Sequence, residues 1–165
     1  MIIKECEVLA NSKSQKVGVF MASFKLQLIS RLDFLIDEFL VKHIKDKDIT
    51  LDFNEESKNI LFHGHCHQKS MIGTQYSMEM LNMPPGYNAE LVDAGCCGMA
   101  GSFGYEKEHY DISMKIGGEA VFPAVNAKNS DWDVAVMGIS CRQQIEHGTE
   151  HNPRHMIEVF ADSLS

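Results

Sequence analysis

The pair Cys96-Cys97 followed by Gly98 is the most constraining feature of this chain. Adjacent cysteines before a glycine are uncommon. Two further cysteines stand in similarly marked surroundings: Cys66 in His63-Gly64-His65-Cys66-His67-Gln68-Lys69, and Cys141 in Ser140-Cys141-Arg142-Gln143-Gln144. Neighbouring soft thiolates, with a glycine that lets the backbone bend sharply, suit a metal or a cluster better than an apolar core.

The segments around these loci alternate in character. Lys58 to His63 reads as a buried strand, with Ile60, Leu61 and Phe62 in sequence and glycine after them. His67 to Leu81 reads as a helix stopped by Pro84-Pro85-Gly86. Asn88 to Asp93 alternates as a second strand. A glycine-rich loop spans Gly95 to Gly104. Helices are expected from about Glu106 to Ile116 and from Glu119 to Asn126, then a third strand from Asp133 to Gly138. Cys141 to His147 opens another helix, and Arg154 to Leu164 closes the chain as an amphipathic one. Upstream, Val17 to Phe39 carries apolar residues at three- and four-residue steps, one face of a long helix or of two shorter ones. Leu35 to Ile44 is the clearest helical stretch. Residues 46–58 form a polar connection, with a short strand expected at Ile49 to Phe53.

Strands alternating with helices imply an α/β fold: a three-layer domain with a small, mostly parallel sheet and helices on both faces. Right-handed crossovers bring the carboxyl ends of parallel strands to one edge, where open α/β sheets bind ligands. Cys66, Cys96, Cys97 and Cys141 each follow an expected strand, so one edge should gather all of them. Residues 58–165 read as the cysteine-rich α/β domain and residues 1–57 as an N-terminal helical segment packed on or preceding it, the two forming one compact unit.

Composition narrows the chemistry. A net charge of −8 argues against a nucleic-acid partner, since phosphate binding needs a basic stripe. Lys42, Lys45 and Lys47 are interrupted by Asp46 and Asp48. No apolar run approaches the roughly 18–20 residues of a membrane helix, and Met1-Ile2-Ile3-Lys4-Glu5 is too charged for a signal peptide. The expectation is a cytoplasmic protein. Its five cysteines are odd in number and too sparse for a disulfide scaffold, and in a reducing compartment they stay as thiols. Cys6 reads as incidental.

The site residues expected from these patterns are Cys66, Cys96, Cys97 and Cys141, with His65 and His67 favoured over His63 as additional imidazole donors because they adjoin the Cys66 thiol. Imidazole serves zinc or iron well, although a histidine in such a place more often satisfies backbone groups. Four thiolates can hold a cubane iron–sulfur cluster or a closed tetrahedral zinc, and a histidine in place of one sulfur admits mononuclear iron or zinc. The glycines at 95, 98, 101 and 104 lack the Gly-Lys-Ser/Thr of a phosphate loop. Met71, Met78, Met80 and Met83 read as core filling, and no cysteine has the setting of a protease nucleophile.

Taken together, Cys66, Cys96-Cys97-Gly98 and Cys141 resemble the cysteine-rich CCG domain. That domain occurs in heterodisulfide reductase, in iron–sulfur subunits of glycolate oxidase and anaerobic glycerol-3-phosphate dehydrogenase, and at the C-terminus of FAD-linked D-2-hydroxyacid dehydrogenases. Asp93 to Glu106, His65 to Lys69 and Ser140 to Ile145 are most similar to the last group. The resemblance runs from about Ile60 to Leu164. It implies an iron–sulfur cluster, of [4Fe–4S] or noncubane type, that carries electrons for a flavin-linked oxidoreductase acting on 2-hydroxy acids such as D-lactate, glycolate or 2-hydroxyglutarate. FAD would sit on a partner flavoprotein domain or subunit. A ferredoxin-like iron–sulfur domain would be a second partner, and any membrane association would come through partners. The family pattern ends in Cys-x-x-Cys, whereas Gln144 stands at the second position here, one thiolate fewer. The alternatives are a zinc-stabilised structural or docking module without redox activity and a thiol enzyme using Cys96 or Cys97 directly.

Overall fold

The computed structural model describes residues 35–47 and 49–165. The part of the Val17 to Phe39 helical pattern that precedes Leu35, and Cys6, lie outside the described residues. Helix α1, Ile36–Lys45, opens the described part. It is followed by strand β1, Lys58–His63, helices α2, Cys66–Met71, and α3, Gln75–Leu81, and strand β2, Tyr87–Leu91. A 3₁₀ turn at Phe103–Tyr105 precedes α4, Tyr110–Glu119, α5, Val121–Asn126, and strand β3, Trp132–Val136. Helix α6, Ile139–Gly148, strand β4, Arg154–His155, and helix α7, Met156–Ala161, complete the chain.

The four strands form one all-parallel sheet in the order β2-β1-β3-β4. The α/β expectation holds. From β1 the chain passes to β2 on one side, and from β3 it passes to β4 on the other. The divergence opens a crevice between the carboxyl ends of β1 and β3, the place where such sheets take ligands.

Strand parity decides which side chains meet there. Side chains alternate faces along a strand, and in-register parallel neighbours share one. Ile60 and Phe62 of β1 and Ala135 of β3 enter a core with Phe39, Leu40 and Val41 of α1, Met80 and Leu81 of α3, and Met156, Val159 and Phe160 of α7. Leu61 of β1 and Val134 and Val136 of β3 face the opposite layer, with Val121 and Val125 of α5, Ile145 of α6, Met99, Cys97 and Cys141. His63 pairs in register with Val136, so it shares the layer that holds the cysteines.

Four segments differ from expectation. The helix expected over 67–81 is two helices, parted at Gly73, whose φ is +77°. The stretch Ile49 to Phe53 forms no strand; Phe53 makes one antiparallel bridge to Leu164. The helix expected from Glu106 starts at Tyr110, because the backbone at Glu106 is extended and ends the 3₁₀ turn. The closing helix is shorter than expected: Arg154 and His155 are spent pairing with Ala135 and Val136. His155 then caps α7 in a reciprocal box with Glu158.

Candidate metal centre

Each cysteine locus takes its place from a local device. Cys66 is the first residue of α2, whose N-cap is His65; the His65 Nδ1 accepts the His67 N–H at 3.3 Å. Lys69, one turn on, donates to the Ala94 carbonyl and so ties α2 to the loop carrying Cys96 and Cys97. Cys141 lies in the first turn of α6, buried against the sheet. Gly138 lets β3 end close to the His65 ring, since a Cβ there would stand 3.2 Å from the His65 Cδ2.

The Cys96-Cys97 loop is pinned from beneath. Gly98 takes φ +96°, a region glycine tolerates and other residues resist. A Cβ on it would fall within 3.0 Å of the Ser113 carbonyl. The Ser113 hydroxyl donates to the Gly98 carbonyl at 2.9 Å. The Gln144 amide donates to the Ser113 carbonyl and hydroxyl, each at 3.0 Å. Gln144 is therefore committed to supporting the loop, and the position that carries a thiolate in the Cys-x-x-Cys pattern is a buried bracket between α4 and α6.

The sulfurs divide into two tiers. Cys97 and Cys141 are 4% and 1% exposed, with their sulfurs 3.6 Å apart. His63 is 0% exposed. Its nearest ring nitrogen and the two sulfurs all lie within 4.8 Å of one another, the one such His/Cys/acid group among the described residues. Neither ring nitrogen of His63 has a hydrogen-bond partner. Cys66 and Cys96 are partly exposed, and the Gly98 N–H reaches the Cys96 sulfur at 3.3 Å. His67 is exposed at the surface of α2, and His65 has one nitrogen engaged in its cap. The structure thus unites Cys97 and Cys141 with His63, a histidine weighted below His65 and His67 on chain proximity to Cys66. The signal that finds it is parity: His63 lies two residues beyond Leu61 on a strand and shares its face.

The four sulfurs also feel one another. Cys97 and Cys141 share one proton across their 3.6 Å separation, which holds Cys97 below the ordinary thiol range against the opposing effect of burial. Cys141 is pushed up because it keeps the proton it shares with Cys97, with burial and then the nearby Cys97 and Cys66 sulfurs adding to the rise. Cys96 is raised first by burial, then by Cys97 and Cys66, against the Gly98 N–H. Cys96 and Cys141 therefore resist ionisation. A metal cation reverses that balance, because a coordinating thiol is deprotonated outright. Burial, soft donors and an orphaned imidazole fit such a group.

Comparison with known proteins finds likenesses to segments of dehydrogenases. Over 120 residues the chain is 32% identical to a subunit of anaerobic glycerol-3-phosphate dehydrogenase from Escherichia coli strain K12, covering 73% of this chain and 30% of that protein. Over 131 residues it is 25% identical to D-2-hydroxyglutarate dehydrogenase of Pantoea ananatis, covering 79% of this chain and 12% of the relative. The Pseudomonas putida D-2-hydroxyglutarate dehydrogenase is 28% identical over 96 residues, 58% of this chain and 9% of that one. The chain therefore spans less than a third of the length of these curated relatives. No family model and no solved structure matches it. What these likenesses define is a class: a domain related to segments of dehydrogenases. Among the described residues no helix is long and apolar enough to cross a membrane.

Proposed function

We propose that this chain is a CCG-type cysteine-rich domain of a multi-component, flavin-linked oxidoreductase, and that it holds an iron–sulfur centre through Cys66, Cys96, Cys97 and Cys141. The observation that supports this reading is the approach of Cys97 and Cys141, 3.6 Å apart beside His63 at the β1/β3 crevice, with the Cys96 thiol raised in part by Cys66. Four cysteines are the usual ligand set of such clusters. A centre bound there supplies one-electron transfer. The chain's own part is to bury Cys97 and Cys141, to hold the Cys96-Cys97 loop rigid through Gly98, Ser113 and Gln144, and to leave Cys66 and Cys96 partly open at the surface. On this reading residues 58–165 are the cysteine-rich unit and residues 1–57 a segment packed on or preceding it. The parent system oxidises a 2-hydroxy acid of the D-lactate, glycolate or 2-hydroxyglutarate class in the cytoplasm. FAD is carried by a partner domain or subunit, and a ferredoxin-like domain serves as a further electron partner.

The test is the iron, zinc and acid-labile sulfide content of anaerobically purified protein, joined to its visible spectrum. Brown protein with iron and sulfide, and a paramagnetic resonance signal on reduction, is the expected result. Colourless protein with one zinc per chain refutes it. The closeness of His63, Cys97 and Cys141 favours that second reading: a zinc-stabilised module that docks a flavoprotein. In that case the double change Cys96→Ser, Cys97→Ser abolishes partner binding without touching any redox signal.

A further inference from the structure

His63 is the most anomalous polar group among the described residues. It ends β1, it is wholly buried, and both ring nitrogens lack a partner. A neutral imidazole carries one N–H donor and one lone pair, and native interiors leave such groups unpaired only for a reason. Packing alone supplies none, because an apolar residue would fill the same place without stranding two polar atoms. Every neighbouring observation points to what the lone pair faces. The strand register turns His63 toward the layer of Cys97 and Cys141, and the three donor atoms lie within 4.8 Å of one another. Two thiolates bound at about 2.3 Å to one tetrahedral ion stand about 3.8 Å apart. The Cys97 and Cys141 sulfurs are 3.6 Å apart, close to that edge and far beyond the roughly 2.05 Å of a disulfide.

We propose that His63 is a direct metal ligand, so that the metal atom held by Cys97 and Cys141 carries one imidazole. The proposal rests on the reading of the pocket as a metal centre and extends it beyond the thiolate set. It also accounts for Gln144. The thiolate absent from that position is not replaced by the Gln144 side chain, whose amide is bound to Ser113; it is replaced by an imidazole arriving from β1. Histidine in place of cysteine raises the potential of an iron–sulfur centre, so this exchange biases the centre toward accepting electrons.

The experiment uses the whole chain, stripped of metal under reducing, anaerobic conditions and titrated with Co2+ alone as the probe. The wild-type protein is expected to bind Co2+ with a thiolate-to-cobalt absorption. Its proton spectrum should contain a hyperfine-shifted imidazole N–H resonance that vanishes in D2O. His63→Ala should weaken Co2+ binding by about tenfold or more, since even outer partners of metal ligands are worth that much. His63→Cys should restore binding with a stronger thiolate-to-cobalt absorption. Thiolate-bound cobalt with no shifted imidazole signal overturns the proposal and leaves the metal reading standing, and so does wild-type affinity in a folded His63→Ala protein. Wild-type chain that takes up no cobalt refutes the metal reading itself, and this proposal with it. Where His63→Ala fails to fold, the same spectrum of His65→Ala and His67→Ala decides: a shifted imidazole signal kept in both variants supports His63, and its loss in either overturns the proposal.

Discussion

Replacing Gly98 with alanine tests the account of how the cysteine loop is held. The residue sits at φ +96°. Left-handed backbone costs an L-residue about 1–2 kcal/mol. The new methyl would also fall within 3.0 Å of the Ser113 carbonyl, which is backbone, and 3.0 Å from the Gln144 Nε2. Overpacking of this kind costs about 1–3 kcal/mol. The sum is roughly 2–5 kcal/mol, and at roughly 2–4 °C per kcal/mol for a domain of this size a middle value of about 3 kcal/mol lowers Tm by about 6–12 °C. Gly101 supplies the control: its φ is +72° but nothing lies within 4 Å of its would-be Cβ, so Gly101→Ala bears the conformational cost alone. The assay is urea unfolding of reduced, metal-free protein, followed by circular dichroism and Trp132 fluorescence. The difference between the two variants isolates the clash. Equal destabilisation of both, or a Gly98→Ala protein within about 0.5 kcal/mol of wild type, refutes the claim that Ser113 and Gln144 brace the loop.

Three further outcomes follow from the same geometry. Gln144→Leu removes the amide that donates to the Ser113 carbonyl and hydroxyl and should cost about 0.5–1.5 kcal/mol in urea unfolding while metal stoichiometry stays unchanged; loss of metal would make Gln144 a ligand. Metal at 100 times its Kd should raise stability by about 2.7 kcal/mol, an increment removed by a chelator or by Cys97→Ser and read by calorimetry. Burial would raise the Asp162 carboxyl, but its hydrogen bonds to Arg154 and Lys58 outweigh that and hold it below its ordinary value. Its stabilising contribution is therefore fully present above about pH 4 and is lost as pH falls through the lower folded value. Asp162→Asn should flatten that acid limb in a pH series of unfolding curves.

The parts of the fold legible in the sequence were those written by periodicity over several residues. β1, with Ile60, Leu61 and Phe62 buried consecutively, is readable because both faces of a central parallel strand are covered. The approach of Cys97 to Cys141 was legible from that order of elements, since parallel crossovers leave little choice of edge. β4 was not legible: two residues, Arg154 and His155, carry no period, and their polar side chains match a helix start equally well. The break between α2 and α3 was hidden because the apolar run through Met71 and Met78 continues across it, while the single Gly73 turns the chain. Gln144 read only as a missing thiolate; its role depends on Ser113, 31 residues away, a contact that no local pattern encodes.

Adjacent cysteines are a poor chelate for a single ion, because the backbone between them must strain to aim both sulfurs at one point. Here the sulfurs do not share an aim. Cys97 turns inward to Cys141 beside His63, whereas Cys96 stays partly exposed and accepts the Gly98 N–H. Gly98 makes the split feasible by bending the chain directly after the pair. On the proposed reading this division is what a centre of several metal atoms requires, since an inner atom and an outer atom can then be held by neighbouring residues without strain. The outer tier, Cys66 and Cys96, is partly exposed. On the proposed reading, an electron from a partner would reach the partly open sulfurs before the buried ones. The inner imidazole would then set how strongly the centre draws that electron, and the half-open thiolates would set how readily a partner delivers it.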